Sequence, residues 1–409
     1  MSMRSVEEQR ARVLAEVRPT ERAAVPLALA AGLTLAEPIT ARVPIPVFDN
    51  SAMDGFAVRF DDVAEASATA PVTLRVVADV PAGSADDPAI RSGEAARIMT
   101  GAAVPADADV IVPFEHTAGG LADSMTEATV TQAPKARAAH IRRRGEDREP
   151  GDTILEPGSP LAAFALSGAA AAGVDEVVVA ARPRVLVMST GSELTGPGAP
   201  LRRGQIPESN SVLLANLARE AGAELAAVAT VDDAPEEFVR ALDEHPDVDV
   251  VITSGGVSAG AYEVVKNVLG GTIEFTKIAM QPGKPQGFGR LPSGALMFAL
   301  PGNPVSAAVS FEVFVRPALL AMQGRSSIDR PVIRLRASLP WRPPQGRRQY
   351  LPASIDRSDP AGWSVRPATT GGSGSHLVGG LAVAEAIAVV PAEVDHVSAG
   401  DPVDVMLLS

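Results

Sequence analysis

The sequence predicts a multidomain α/β plus β protein. It has a central α/β domain with a mostly parallel sheet and helices on both faces, an inserted β module, an N-terminal helical/β segment and a small C-terminal β-barrel-like domain. Three observations predict it. Short apolar runs alternate with helical stretches between Arg184 and Leu300, the pattern of parallel strands covered by helices on both faces. Runs of β-type residues separated by turn residues fill Pro44 to Ala139 and return after about Arg325. The chain has 409 residues, 46% of them hydrophobic, enough for two to four cores at roughly 150 residues per domain.

The elements follow in chain order. Met1 to Val17 is charged throughout and reads as an amphipathic helix without a signal-peptide core. A second helical stretch is expected around Val25, Leu27 and Leu29. Residues 46–139 form the β module, with strands expected over Val72–Val77, Ala96–Met99 and Val110–Val112. Helix returns around His140 and runs through Ala162 to Ala172, so residues 1–45 and 140–180 read as one linker and dimerisation domain split by the module. Residues 181–327 form the α/β domain. Its expected strands are Val185–Met188, Leu225–Val228, Val248–Ile252 and Ala295–Leu300; its helices are Ser211–Ala221, Ala234–Glu244 and Tyr262–Leu269. Residues 328–409 read as the terminal β domain, through Val332–Leu335, Ala386–Val390 and Val403–Leu408.

Composition excludes several functions. A net charge of -13 disfavours general binding to nucleic acid or to anionic membrane. There is no cysteine, hence no disulfide, thiolate nucleophile or thiolate metal ligand. The five histidines are not paired at metal-ligand spacing, so a bound metal is expected to be a hard cation on carboxylates. The most apolar stretch singled out, Leu161 to Val174, is too short to span a bilayer, which needs about 20 residues. A cytoplasmic protein is expected.

In an open parallel sheet, ligands bind outside the carboxyl ends of the strands. Five polar loops fall there: Thr190–Leu194, Asp232–Asp233, Ser254–Gly260, Gln281–Pro285 and Pro301–Ser306. Carboxylates, glycine-rich turns and Lys284 therefore converge on one edge. Gly255 and Gly256 let backbone N–H groups approach a phosphate, although a glycine pair reads equally as an ordinary turn. Asn303-Pro304 reads as a helix start, whose free N–H groups and Ser306 hydroxyl would face an anion. Asp232 and Asp233 precede a helix and read equally as caps.

Seven ordered strings carry a family resemblance: Phe48–Ala57, Arg97–Ala102, Ile141–Asp147, Ser189–Leu194, Ser254–Ser258, Pro282–Pro285 and Leu300–Ser306, with Gly374-Ser375-His376 a weaker eighth. Over roughly residues 5 to 405 the chain resembles the MoeA family of molybdopterin molybdenumtransferases, which includes the E domain of gephyrin. The resemblance implies that adenylylated molybdopterin and molybdate are bound, AMP is released and molybdenum is inserted, with Mg2+ as cofactor. It implies catalytic roles for Asp54, Thr100, Glu193, Asp232 and Lys284. It implies contact with the pterin nucleotide through Asp147, Thr190, Gly191, Ser254, Gly255, Gly256, Lys277, Pro301 and Asn303. The oxyanion falls to Lys284, Pro285, Ser306, Arg347 and Ser375, and the magnesium to Glu193, Asp232, Asp233 and Glu263. The implied assembly is a homodimer in which Asp54 and Thr100 reach the partner's site. Transient contacts with the adenylyltransferase and with recipient molybdoenzymes follow from the same resemblance.

Three departures stand out. Gln281 stands where the family often has lysine, which predicts an oxyanion site weaker by one cation. Glu263 stands where it often has aspartate. Arg348 follows Arg347 where an acid often follows. Two other readings stay open: an enzyme like the adenylyltransferase, whose core the α/β region resembles, and a gephyrin-like scaffold.

Overall fold

The computed structural model describes residues 3–122, 124–257, 264–359, 362–369, 374 and 377–408. Four packed units build it, each with a core of its own.

The central domain carries a six-stranded sheet. Strands Glu224–Val231, Arg184–Thr190, Val250–Ser254 and Leu296–Leu300 lie side by side in parallel. Pro285–Arg290 and Glu274–Lys277 extend it antiparallel beyond Leu296–Leu300. Because strand residues alternate between faces, Val185, Val187, Val250, Ile252 and Phe298 join one core, and Leu186, Met188, Val251, Met297 and Ala299 join the other. Helix Asn210–Glu220 covers the first face through Leu214 and Ala218; helix Pro235–Asp243 covers the second through Phe238. The expected layering with helices on both faces is present.

Helix Val6–Ala15 forms as its residues dictate, with Ser5 and Glu8 making a reciprocal capping box. It packs away from the split domain, however. Val6 and Val13 join the central core, Arg4 pairs with Glu274 at 2.6 Å, and Arg10 pairs with Asp329. The split domain's own core starts at Val25 and draws its other half from residues 154–179.

Two expected helices are not there. Arg22–Pro26 is a strand followed by a 3-10 turn at Leu27–Leu29, because it pairs in antiparallel register with Glu176–Ala180. That pairing overrides the helical propensity of its alanines. The stretch around His140 is likewise extended: Ile141–Arg142 pairs with Asn50–Ser51, and the helix covers only Ala163–Ala171. The same pairings bear out the insertion. The chain leaves the split domain through Asn50–Ser51 and returns through Ile141–Arg142. Between them lies a five-stranded sheet with cores drawn entirely from residues 56–141.

The C-terminal strands close into a barrel. Arg348–Asp356 pairs with both Ser364–Pro367 and Ala386–Val390, and Val332–Ala337 and Pro402–Leu407 complete the circuit. A sixth, two-residue strand, Met280–Gln281, is lent by the central domain and pairs in parallel with Arg348–Gln349.

One apolar helix is longer than Leu161–Val174. Pro304–Met322 has 19 residues and could span a bilayer by length and composition, yet 89% of its apolar window is buried inside the protein. It is the central domain's core helix, continuous through a π-helical turn at Phe311–Val315.

Candidate active site

The carboxyl ends of the four parallel strands point to one edge, where Thr190, Val231, Ser254 and Leu300 are the last strand residues. Lys284 reaches the same edge by the opposite route. The next strand, Pro285–Arg290, is antiparallel, so its beginning lies beside the end of Leu296–Leu300. The loops enclose a cavity of about 980 Å3.

Thirteen of the expected residues line it: Thr190, Gly191, Glu193, Asp233, Ser254, Gly255, Gly256, Lys284, Pro285, Pro301, Asn303, Ser306 and Arg347. The glycines are sterically required. Gly255 has φ +97°, and a Cβ there would lie 2.6 Å from the Thr190 carbonyl oxygen. The loop after Ser254 thus packs its backbone against that of Thr190.

Lys284 sits in a turn braced from beneath. The Gln286 amide donates to the Gly283 carbonyl at 2.7 Å and to Ser310 Oγ at 2.6 Å, both buried. Across the cavity, Pro304 opens the core helix with Asn303 before it. The first N–H groups of a helix have no partner within it, and here they and the buried Ser306 face the cavity. Arg347 arrives from the barrel, where its Nη1 donates to Gln281 Oε1 at 2.7 Å. No carboxylate among the described residues ion-pairs with Lys284 or Arg347. Two cations and a helix N-terminus, with no ion-paired acid on either cation among the described residues, therefore line the same cavity.

The acids divide. Glu193 lies folded against Gly191, where a Cβ would meet its Oε2 at 2.5 Å. Asp233 accepts from the Ser192 N–H at 3.1 Å and from the Ser192 hydroxyl at 2.8 Å, tying two loops together. Asp232 is exposed, does not line the cavity, and accepts from the Ala234 N–H at 2.8 Å in a turn leading into helix Pro235–Asp243. Asp232 closes the turn before the helix and does not cap it, since the N-cap is Ala234 and no side chain caps it. Among the described residues no three acids or histidines gather into a metal-binding group. Glu263 and Ser375 lie outside the described residues.

Four other expected residues stand apart from the cavity. Lys277 is exposed at the end of the edge strand Glu274–Lys277. Asp147 is exposed and accepts from Arg148 Nη1 at 3.2 Å. Asp54 and Thr100 meet each other in the β module. Thr100 donates its N–H at 2.6 Å and its hydroxyl at 2.7 Å to Asp54 Oδ1. These bonds, the backbone one first, hold the Asp54 carboxyl below the usual carboxylate range.

Sequence reasoning missed two residues of the cavity. Glu208 is buried and takes hydrogen bonds from Ser189 Oγ at 2.7 Å, from the Ser211 N–H at 2.8 Å and from the Ser211 hydroxyl. Asn210 donates to the Gly302 carbonyl at 2.6 Å, while its buried Oδ1 has no partner among the described residues and so offers an acceptor to a ligand N–H. The signal available was polar residues before a helix, which reads as a cap.

The chain resembles known proteins along its whole length. Three family models match it in succession: the MoeA N-terminal region (domain I and II) over residues 4–173, a probable molybdopterin binding domain over residues 186–321, and the MoeA C-terminal region (domain IV) over residues 334–408. Molybdopterin molybdenumtransferase 2 of Mycobacterium tuberculosis is 46% identical, over 98% of this chain and 99% of the relative. Molybdopterin molybdenumtransferase 1 of the same organism is 36% identical, over 100% and 99%. The crystal structure of a molybdopterin biosynthesis moeA protein from Pyrococcus horikoshii OT3 superposes with a TM-score of 0.82 at 25% identity, covering 99% of this chain and 100% of that one.

Proposed function

The chain belongs to the MoeA family, and from that premise we propose that its cavity inserts molybdenum from molybdate into adenylylated molybdopterin, with release of AMP. The observation that carries the reading is that Lys284, Arg347 and the N-terminus of the Pro304–Met322 helix line one cavity, with no acid ion-paired to either cation among the described residues. Such a lining suits a tetrahedral dianion.

The chain's own residues divide the work. Lys284, Arg347 and the Ser306 end of the helix bind and orient molybdate, with Pro285 and Ser375 completing the pocket. The Gly255-Gly256 turn takes the phosphates through the Gly256 N–H, the Gly255 N–H being donated to the Leu300 carbonyl at 3.1 Å, against Thr190, Gly191, Ser254, Pro301 and Asn303. Buried Glu208 and Asn210 hold the cavity floor, and Asn210 Oδ1 accepts from the nucleotide-bearing ligand. Glu193 and Asp233 present hard oxygen donors at the cavity rim. That set fits Mg2+, which is usually held by one or two carboxylates with substrate phosphates and water. When bound, the cation neutralises charge on the phosphoanhydride. Glu263 belongs to the same proposal; Asp232 supports it through the fold of its loop.

Asp54 and Thr100 form a rigid pair remote from the acidic loops in sequence. We assign them to the site of a second copy in a homodimer. The adenylyltransferase and recipient molybdoenzymes are the transient partners, and the cytoplasm is the compartment.

The test is AMP release from adenylylated molybdopterin. It should depend on molybdate and on Mg2+. Adenylylation of plain molybdopterin by ATP, with no molybdate-dependent AMP release, would favour the adenylyltransferase reading. Binding without turnover would favour a scaffold.

A further inference from the structure

We infer that Gln281 is a positioning residue that sets the oxyanion affinity of the cavity by steering Arg347, and that it is not a weakened replacement for a lysine. The inference rests on the proposed oxyanion site and concerns a residue given no part in it so far.

Arg347 comes from the barrel, yet it must act in a cavity built by the central domain. Two contacts bring it there. The first is main-chain: Arg348 donates its N–H to the Ala279 carbonyl at 3.0 Å, and Met280–Gln281 pairs in parallel with Arg348–Gln349. This fixes where the Arg347 backbone stands. The second is the side-chain bond from Arg347 Nη1 to Gln281 Oε1 at 2.7 Å, which fixes where the guanidinium points. Gln281 and Arg347 both line the cavity.

The chemistry of the acceptor matters. Arg348 is neutralised by Glu7, but Arg347 is held by a neutral amide. A carboxylate at 281 would steer the guanidinium and cancel its charge. A lysine would supply charge but has no acceptor, and its ammonium would repel the guanidinium. Only an amide oxygen orients the fork while leaving its full charge for the ligand. A guanidinium held in plane offers two parallel N–H groups to one tetrahedral oxyanion. Charge count alone predicts that Gln281→Lys tightens binding; the geometry predicts that it does not.

The experiment is molybdate titration of the full-length protein, by calorimetry and by the half-saturating concentration for AMP release. Gln281→Met, similar in size but without the amide, should raise the half-saturating molybdate about three- to tenfold, the effect of one lost hydrogen bond. The rate at saturating molybdate should stay within about twofold, since the lost contact is a binding one. Melting should be unchanged, because main-chain bonds hold the two domains together. In an Arg347→Ala background the same change should have no further effect, and Arg347→Lys should not restore binding. Gln281→Lys should bind molybdate no tighter than wild type.

Tighter binding by Gln281→Lys would overturn the positioning role, and so would an undiminished Gln281→Met effect without Arg347. Lys284→Ala separates the two levels. If it loses affinity while Gln281→Met is silent, the positioning role falls alone. If Lys284→Ala also binds as wild type, the oxyanion site itself has been misread.

Discussion

Asp54 and Thr100 are joined by two hydrogen bonds to a single carboxylate oxygen, across 46 residues of sequence. Both donors come from Thr100, so the pair favours ionised Asp54. Thr100→Val keeps the backbone donor and removes the hydroxyl. The Asp54 pKa, depressed in the folded protein, should rise toward its ordinary value. The sign for stability follows. A depressed carboxyl stabilises the fold above its unfolded pKa, and that contribution disappears as pH falls through the lower folded value. Wild type should therefore lose this stability below the usual carboxylate range, and Thr100→Val should have less of it to lose. Carbon-13 titration of the aspartate carboxyls reads the shift directly. An Asp54 that titrates identically in both proteins would refute it.

If the pair serves a neighbouring subunit, two dead chains should rescue each other. Mixed Asp54→Ala and Glu193→Ala protomers form hybrids in which one site has both intact residues, and part of the activity should return. Hybrids shown to form but without activity would place the pair and the acid in the same chain's site.

Lys284→Ala should weaken molybdate about ten- to a hundredfold, the loss of a charge-assisted bond worth ~1.5–3 kcal/mol. Binding of adenylylated molybdopterin should change less, because the proposed phosphate site at the Gly255-Gly256 turn and the proposed Mg2+ do not involve Lys284. A variant that keeps molybdate but loses the nucleotide would show that the two anion sites were assigned in reverse.

Neighbouring acids should behave oppositely. Asp232 holds the Ala234 N–H, so Asp232→Ala should lower stability by about 0.5–1.5 kcal/mol and leave the magnesium requirement alone. Glu193→Gln should raise the magnesium needed for half-maximal activity with little change in melting. Parallel magnesium titrations and thermal melts separate the roles; a higher magnesium requirement for Asp232→Ala would return that residue to the metal.

Glu312 is buried on the core helix and receives the Arg330 guanidinium at 2.9 and 3.1 Å, with Arg316 at 3.9 Å. Arg330 also reaches the Leu408 carbonyl, tying the helix to the last strand of the barrel. Glu312→Ala strands two arginines against each other and should lower stability by about 3 kcal/mol or more. Molybdate affinity of the folded fraction should hold. Denaturant melts showing a loss under ~1 kcal/mol would mean that water solvates the arginines.

Periodicity made the central domain legible: its apolar runs and helices fall where the sequence places them, and so does the loop edge with Lys284. What failed had a non-local cause. Arg22–Pro26 is extended because Glu176–Ala180, 150 residues on, supplies its partner strand. The barrel strand Arg348–Asp356 went unnoticed because Pro352 and scattered polar residues break its pattern. No local feature tells that Val6 and Val13 face the central core. Within the site, Asp232 and Asp233 are adjacent letters, and a one-residue offset decides that one closes a turn while the other joins the cavity. Gln281 reads as a missing charge until its partner Arg347 is seen beside it.

The β module is carried by a narrow two-stranded junction, Ile45 to Ala52 against His140 to Arg148. Ser51 lies opposite Ile141 and Asn50 opposite Arg142, so the chain comes back to where it left, about 5 Å away. Nothing inside the module contributes to the split domain's core, and of the split domain only Ile141, at the junction, packs against the module's. The module is thus a cassette. Excision with a short turn across the junction should cost little in loop closure, and a host that then fails to fold would show that the two parts depend on each other. A cassette so attached can also be exchanged between related chains, taking Asp54 and Thr100 with it as a matched pair.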